Sequence, residues 1–307
     1  MVYQSRTLGL DNRWDLWTYD KHAAVISIRG TTDQALSWMG NFYAAMVPAR
    51  GYLCLAPRDS FQYNLAANPR AMVHVGWLLS MAYLSRDILP MIDSCYNAGI
   101  HEFLLMGHSQ GGAINFLLTA YLLQLQQAGL LPPDIHFKTY CSAGPKPGNL
   151  YFAYDYEHMT PNGMAFNVVN AADWVPETPI SIQTVRDFNS TNPFIVAPAI
   201  IRKQGFPKRY LLMHVFNRLD RPTRKAQRIY QKYLGRMSAK VIRKTLKDFA
   251  PPRYSSSSDY VRTGTTIVLM PDPSYYRLFK DDPKNIFVHH LHKPYLYLLT
   301  KYGTARQ

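Results

Sequence analysis

Gly107-His108-Ser109-Gln110-Gly111 places a serine between two glycines, directly after the apolar run Phe103-Leu104-Leu105-Met106. A Gly-x-Ser-x-Gly turn between a strand and a helix lifts the serine hydroxyl above the sheet edge. Its glycines are steric requirements, because strand and helix backbones come close there. A serine hydroxyl is a weak nucleophile at neutral pH. It needs an imidazole to take its proton and a carboxylate to orient that imidazole. The chain offers Asp173 in a polar turn and a late group of imidazoles, His289, His290 and His292. Backbone N–H groups of Gln110, at the start of a helix, and of Thr31, in a turn after another strand, could hold a developing oxyanion. The chemistry these residues could do together is acyl transfer, which requires no metal and no cofactor.

The elements around them must bring these pieces to one place. Residues 101–106 read as a short strand, and Ala113, Phe116, Leu117, Ala120, Tyr121 and Leu123 follow at helical spacing, closing near Gly129. Residues 23–28 read as an unbroken apolar strand of a sheet covered on both faces, running into Arg29-Gly30-Thr31-Thr32. Polar turns at the C-terminal ends of buried strands are where α/β sheets hold ligands. Further strands are expected over residues 134–141, 165–169 and 265–270, and a final helix over 293–302. Residues 48–69 read as irregular, 142–149 as a loop. Two helical stretches are expected at 71–85 and 87–98, the second ended by Gly99 as a left-handed cap. Trp14 and Trp17 are expected at a core edge. The order strand, elbow, helix, strand, acidic loop, late histidine is that of an α/β-hydrolase.

At 307 residues with 47% hydrophobic content, the chain can bury a sizeable core as one α/β domain. It has no apolar run long enough to span a membrane. Its first residues carry no apolar signal core, so the expectation is a cytoplasmic protein, or a secreted or periplasmic one if a leader has been removed. Cys54, Cys95 and Cys141 are odd in number, lack metal-ligand spacing and sit on apolar segments, which reads as buried free thiols.

The charge is unevenly placed. Residues 183–255 hold 17 Lys and Arg against Asp187, Asp220 and Asp248, a surplus equal to the whole chain's +14. The rest of the chain is neutral. Helices are expected at 207–219 and 223–249, separated by Pro222. Ala226, Ile229, Tyr230, Tyr233 and Met237 form the apolar face of the second. Such a segment reads as a solvated helical face, as a patch for an anionic membrane or polymer, or as a nucleic-acid surface. No recognisable nucleic-acid motif accompanies the charge.

Several ordered pieces resemble the class 3 (fungal-type) lipases. Ile28-Arg29-Gly30-Thr31 is similar to their oxyanion strand-turn, and Trp38-Met39-Gly40-Asn41-Phe42 to their Trp-x-x-Asn segment. His74-Val75-Gly76-Trp77, the elbow, Gly144-Pro145-Lys146-Pro147-Gly148-Asn149 and Asp173-Trp174-Val175-Pro176 match in turn. The resemblance covers about residues 23–179 and the end of the chain. It implies an α/β-hydrolase fold: a mostly parallel central sheet with helices on both faces, here with a basic helical insertion at 185–255 inside a single 1–307 domain. It implies Ser109 as nucleophile, Asp173 as orienting acid and Thr31 and Gln110 as oxyanion donors. His290 is the implied base, since His290-Leu291 followed by Tyr295 is similar to the family's His-Leu segment; His289 and His292 stay open as alternatives. The implied activity is hydrolysis of lipid esters, acylglycerol or phospholipid. A soluble aryl or feruloyl esterase and a catalytically dead lipase-fold binding protein are the competing readings. The chain departs from the family in having Gln110 where leucine is usual, and in the 117 positions between Asp173 and His290, wider than the family norm.

Overall fold

The computed structural model describes residues 1–19, 22–161 and 163–304. The chain opens with β1 (Tyr3–Gln4), β2 (Trp14–Tyr19), β3 (Ala23–Ile28) and helix α1 (Ala35–Phe42). Short strands β4 (Met46–Pro48), β5 (Arg50–Ala56), β6 (Asp59–Asn64) and β7 (Met72–His74) lead to the long helix α2 (Val75–Asn97). Then come β8 (Glu102–His108), α3 (Gln110–Gln127), β9 (His136–Ser142), β10 (Gly148–Asn149), α4 (Leu150–Met159) and β11 (Ala165–Asn170). Helices α5 (Pro193–Arg202), α6 (Lys208–Gln231) and α7 (Ser238–Ile242) make up the basic segment. It is followed by β12 (Tyr260–Val261), β13 (Thr265–Leu269), α8 (Pro273–Leu278) and α9 (His292–Thr304).

Among the described residues the main sheet runs β1-β2-β3-β8-β9-β11-β13. From β3 to β13 every pairing is parallel, and β1 and β2 add an antiparallel edge. In this register Ile28 lies opposite Gly107, His108 opposite Ser142 and Ser142 opposite Val168. The turns after β3, β8 and β11 therefore leave the same sheet edge, and these are the turns that carry Thr31, Ser109 and Asp173. Strand alternation sends Phe103, Leu105, Phe137 and Cys141 into a core shared with α2 and α3. Each such fully buried large side chain contributes about 1.5–3 kcal/mol.

Helices lie on both faces, but unequally. On the second face Val168 and Leu269 pack with Tyr275 of α8 and with Tyr295 and Leu298 of α9. Across β3 and β8 that face stays partly open: Val25, Ser27 and Leu104 are half-buried and Met106 is exposed. The expectation that β3 is covered on both sides is thus corrected. Trp14 is fully buried, whereas Trp17 is exposed at the open face.

Three further expectations change. Residues 48–69 are not irregular but hold the β5–β6 hairpin, in which Leu53, Leu55, Phe61 and Tyr63 alternate into the core. The helices expected at 71–85 and 87–98 are one continuous α2, because Leu84, Ile88 and Ile92 carry one buried stripe past the polar Arg86-Asp87 step. Pro222 does not divide α6. It sits on an exposed turn, so the missing N–H leaves only a solvent-facing carbonyl unpaired. Cys95 and Cys141 are buried free thiols as expected, while Cys54 is half-buried.

The basic segment hangs from a neck where Ile182 N donates to Ser258 O at 2.9 Å. After α6 the chain passes through a π-helical turn, Lys232–Met237, into α7, and the helical expectation to residue 249 stops at Ile242. This later part docks on the main body: Ala45 N donates to Leu234 O, Ser238 Oγ to Phe42 O, and Ala239, Ile242 and Phe249 join the core. The apolar face expected there is divided, with Tyr230 buried but Ile229, Tyr233 and Met237 exposed. Helix α5 buries none of its side chains and packs beside α6. No helix among the described residues is long and apolar enough to cross a membrane.

Candidate active site

The elbow lies between β8 and α3. Ser109 adopts φ +60° and ψ −130°, a conformation that L-residues rarely hold. Its N–H donates to Ser142 O at 2.9 Å, and its carbonyl accepts from Gly112 N at 2.9 Å. A Cβ on Gly107 would lie 2.4 Å from the Gly111 backbone, and one on Gly111 2.2 Å from Ile28 O. The glycines are therefore imposed by strand–helix approach on one side and by β3 on the other.

Asp173 follows β11, and its side chain is wholly removed from solvent. Its Oδ2 lies 2.8 Å from His290 Nδ1 and accepts from the Tyr295 hydroxyl at 2.8 Å. Oδ1 accepts from Val175 N at 3.0 Å. A buried carboxylate is stable only with such partners. Burial, reinforced by the Asp173 charge, pushes the Tyr295 phenol upward, so its proton stays available for donation. With Nδ1–H turned to Asp173, the free acceptor of His290 is Nε2.

The three late histidines separate clearly. His289 pairs with Tyr275 at 2.8 Å through Nδ1 and with Asp281 at 3.0 Å through Nε2, away from the cavity. His292 lies with its ring 4.5 Å from that of His108. Only His290 of these three meets Asp173. His108 also borders the cavity, and its Nε2 lies 2.7 Å from His290 O and its Nδ1 2.9 Å from Ser142 Oγ. That geometry corresponds to a neutral ring donating from Nε2 and accepting at Nδ1. Burial, then the neighbouring His290 and His292, lower its pKa to about 4.

Thr31 and Gln110, the expected oxyanion donors, are tied together by Asn41. Its Nδ2 donates to Thr31 Oγ1 at 2.9 Å. Its Oδ1 accepts from Gln110 Nε2 at 2.8 Å and from Trp77 Nε1 at 3.0 Å. Gln110 also donates to Ser37 O at 2.9 Å and is buried. The glutamine that departs from the family's leucine is thus a strut between the elbow helix and the Thr31 turn. His74, fully buried at the start of α2, accepts from Trp77 N and donates to Asn41 O.

Ser109, Thr31, Gln110, His290 and His292 all border one cavity of about 980 Å³. Trp38, Phe42, Trp77, Val175, Tyr230 and Leu234 supply apolar wall. Thus Tyr230 and Leu234 bring the basic segment to the edge of the cavity. Asn41, Tyr295 and His108 carry contacts that spacing alone does not reveal. Asn41 stands in the Trp-x-x-Asn segment, and Tyr295 is the aromatic after His290-Leu291, so each had a positional signal but no role attached.

The profile described as Lipase (class 3) matches residues 25–182, more than half of the chain, and the chain belongs to this family. The match ends at the neck of the basic segment. Among curated proteins none matches the chain. It resembles a fungal lipase solved with an inhibitor, at 22% identity over 58% of this chain and 60% of that one, TM-score 0.45. The lipase of Rhizopus microsporus var. chinensis gives 22% identity, 58% and 55% coverage and a TM-score of 0.42. The Rhizomucor miehei triacylglyceride lipase gives 21%, 58%, 60% and 0.42. The chain spans less than two thirds of the length of these solved lipases.

Proposed function

We propose that this chain is a serine hydrolase of carboxylic esters whose substrates are lipids. The observation that carries the reading is His290, paired with the buried Asp173, bordering the same apolar-walled cavity as the strained Ser109. Ser109 Oγ attacks the ester carbonyl while His290 Nε2 takes its proton. The N–H groups of Thr31 and Gln110 hold the oxyanion, aided by the N-terminus of α3. His290 returns the proton to the leaving alcohol, and water, activated by the same nitrogen, releases the acid.

We read residues 1–307 as one domain with 185–255 as an insertion that walls the cavity and faces a lipid surface. Exposed Phe194, Ile200, Phe206, Leu211, Val215 and Leu219 on α5, α6 and their connection favour this surface. Nucleic acid finds no such support, since no recognisable nucleic-acid motif accompanies the charge.

A fluorophosphonate probe tests the chemistry: labelling of the wild type that vanishes in Ser109→Ala supports it, and an unlabelled wild type refutes it. A chain-length series of p-nitrophenyl esters, with and without an emulsion, tests the substrate class. Activity confined to short, soluble esters would overturn the lipid assignment.

A further inference from the structure

A second groove, of about 500 Å³, is lined by the part of the chain that follows Tyr230. Arg236, Lys240 and Arg243 reach it from the π-helical turn, α7 and the residue after it. Arg253 and Tyr254 reach it from the Pro251-Pro252 loop. All four cations are exposed, and among the described residues no carboxylate is within ion-pair distance of any of them. Every charged side chain on the groove is therefore positive. Four like charges converging in a concavity repel one another unless an anion sits between them.

The neighbouring helix surface indicates where the anion comes from. Ile229, Tyr233, Met237 and Val241 recur at four-residue steps and are 46%, 47%, 48% and 44% exposed. Lys232, Arg236 and Lys240 stand beside them in sequence. An exposed apolar row flanked by cations is the arrangement of a segment that lies in a bilayer interface, with side chains below the headgroups and charges among them. A soluble phosphate would leave that row without a partner. We propose that the Arg236–Lys240–Arg243–Arg253 groove binds the phosphate of an anionic phospholipid headgroup and seats the mouth of the Ser109 cavity on an anionic bilayer.

The purpose of this seat rests on the ester-hydrolase reading, but the binding does not need turnover. The coupling is short: Leu234 walls the cavity and, through its carbonyl, holds Ala45 N at 3.0 Å, while Arg236 two residues later lines the groove.

The test uses the full chain carrying Ser109→Ala, sedimented with vesicles of phosphatidylcholine alone or mixed with phosphatidylglycerol. Binding is expected only to the mixed vesicles. At about fivefold per neutralised cation, Arg236→Gln/Arg243→Gln should weaken it about 25-fold. These side chains are exposed, so the melting temperature should not move. Arg6→Gln/Lys138→Gln removes the same charge elsewhere and should change affinity by less than about twofold. Equal losses from both pairs would mean diffuse attraction and overturn the groove. Tripolyphosphate that raises the melting temperature of the parent but not of the groove variant, with no vesicle binding, would assign the site to a soluble anion and overturn the lipid source. Vesicle binding by the Ser109→Ala chain, combined with a wild type that takes no fluorophosphonate label, supports the groove while refuting the hydrolase.

Discussion

The Tyr295 hydroxyl donates to Asp173 Oδ2 at 2.8 Å, the same oxygen that lies 2.8 Å from His290 Nδ1. The carboxylate is held from two elements at once, so its orientation toward the imidazole does not depend on the turn after β11 alone. Tyr295→Phe keeps the ring packed against Val168 and Leu298 and deletes the hydroxyl, which donates to Asp173 and accepts from Asn170 N at 3.1 Å. A hydrogen bond to a charged acceptor is worth about 1.5–3 kcal/mol, so kcat on a soluble ester should fall about tenfold or more. KM should stay near its wild-type value, because Tyr295 does not line the cavity. Steady-state kinetics check this, and an unchanged kcat would show that the turn alone suffices.

Gln110→Leu restores the residue usual in the family and separates rate from stability. The glutamine makes two hydrogen bonds, to Ser37 O and Asn41 Oδ1, but its own Oε1 is buried without a partner. Losing the bonds and losing the orphan oxygen oppose each other at about 1–2 kcal/mol each, so urea denaturation should show little change. Thr31 loses its anchored neighbour, and kcat should drop. In a double-mutant cycle with Asn41→Ala the losses should not add, since both act through one network.

Gly111→Ala tests the elbow itself. The added methyl would fall 2.2 Å from Ile28 O, a backbone atom of β3 that has no room to retreat. The expected destabilisation exceeds about 2 kcal/mol in urea titration. A stable variant would mean that β3 and α3 can separate without cost.

Acid should weaken the fold through two imidazoles. Burial lowers the pKa of His74 from 6.5 to about 3, and that of His108 to about 4. The unfolded chain therefore takes up these protons first. The stability they contribute is full above pH 6.5 and is lost as pH falls from there toward about 4 for His108 and about 3 for His74. Melting temperature should decline across that window. His74→Asn, which can still cap α2, should flatten the decline while lowering the melting temperature at neutral pH.

Much of the site can be read from the chain because its pieces are local. The small residues flanking Ser109, the apolar run before it and the periodic run after it state strand, sharp turn and helix within a dozen positions. The Asp173-Trp174-Val175-Pro176 and Gly144–Asn149 motifs work in the same way. Where the structure departs from the local pattern, distant packing outweighs local punctuation. Pro222 and Arg86-Asp87 look like helix breaks, yet both lie on surfaces where an interrupted pattern costs little. The 48–69 stretch looks irregular, yet its alternating Leu and aromatic residues meet a core built by α2 and α3.

Residue type and spacing are enough to specify the elbow, the order of acid before histidine and the confinement of excess positive charge to one segment. Which of His289, His290 and His292 faces Asp173 is decided by tertiary structure alone: the three differ only in direction, and direction is set by where β11 and α9 pack. The same holds for Gln110, whose role as a strut depends on Asn41 arriving from α1, and for the cation groove, which exists only because α7 folds back onto the Pro251-Pro252 loop.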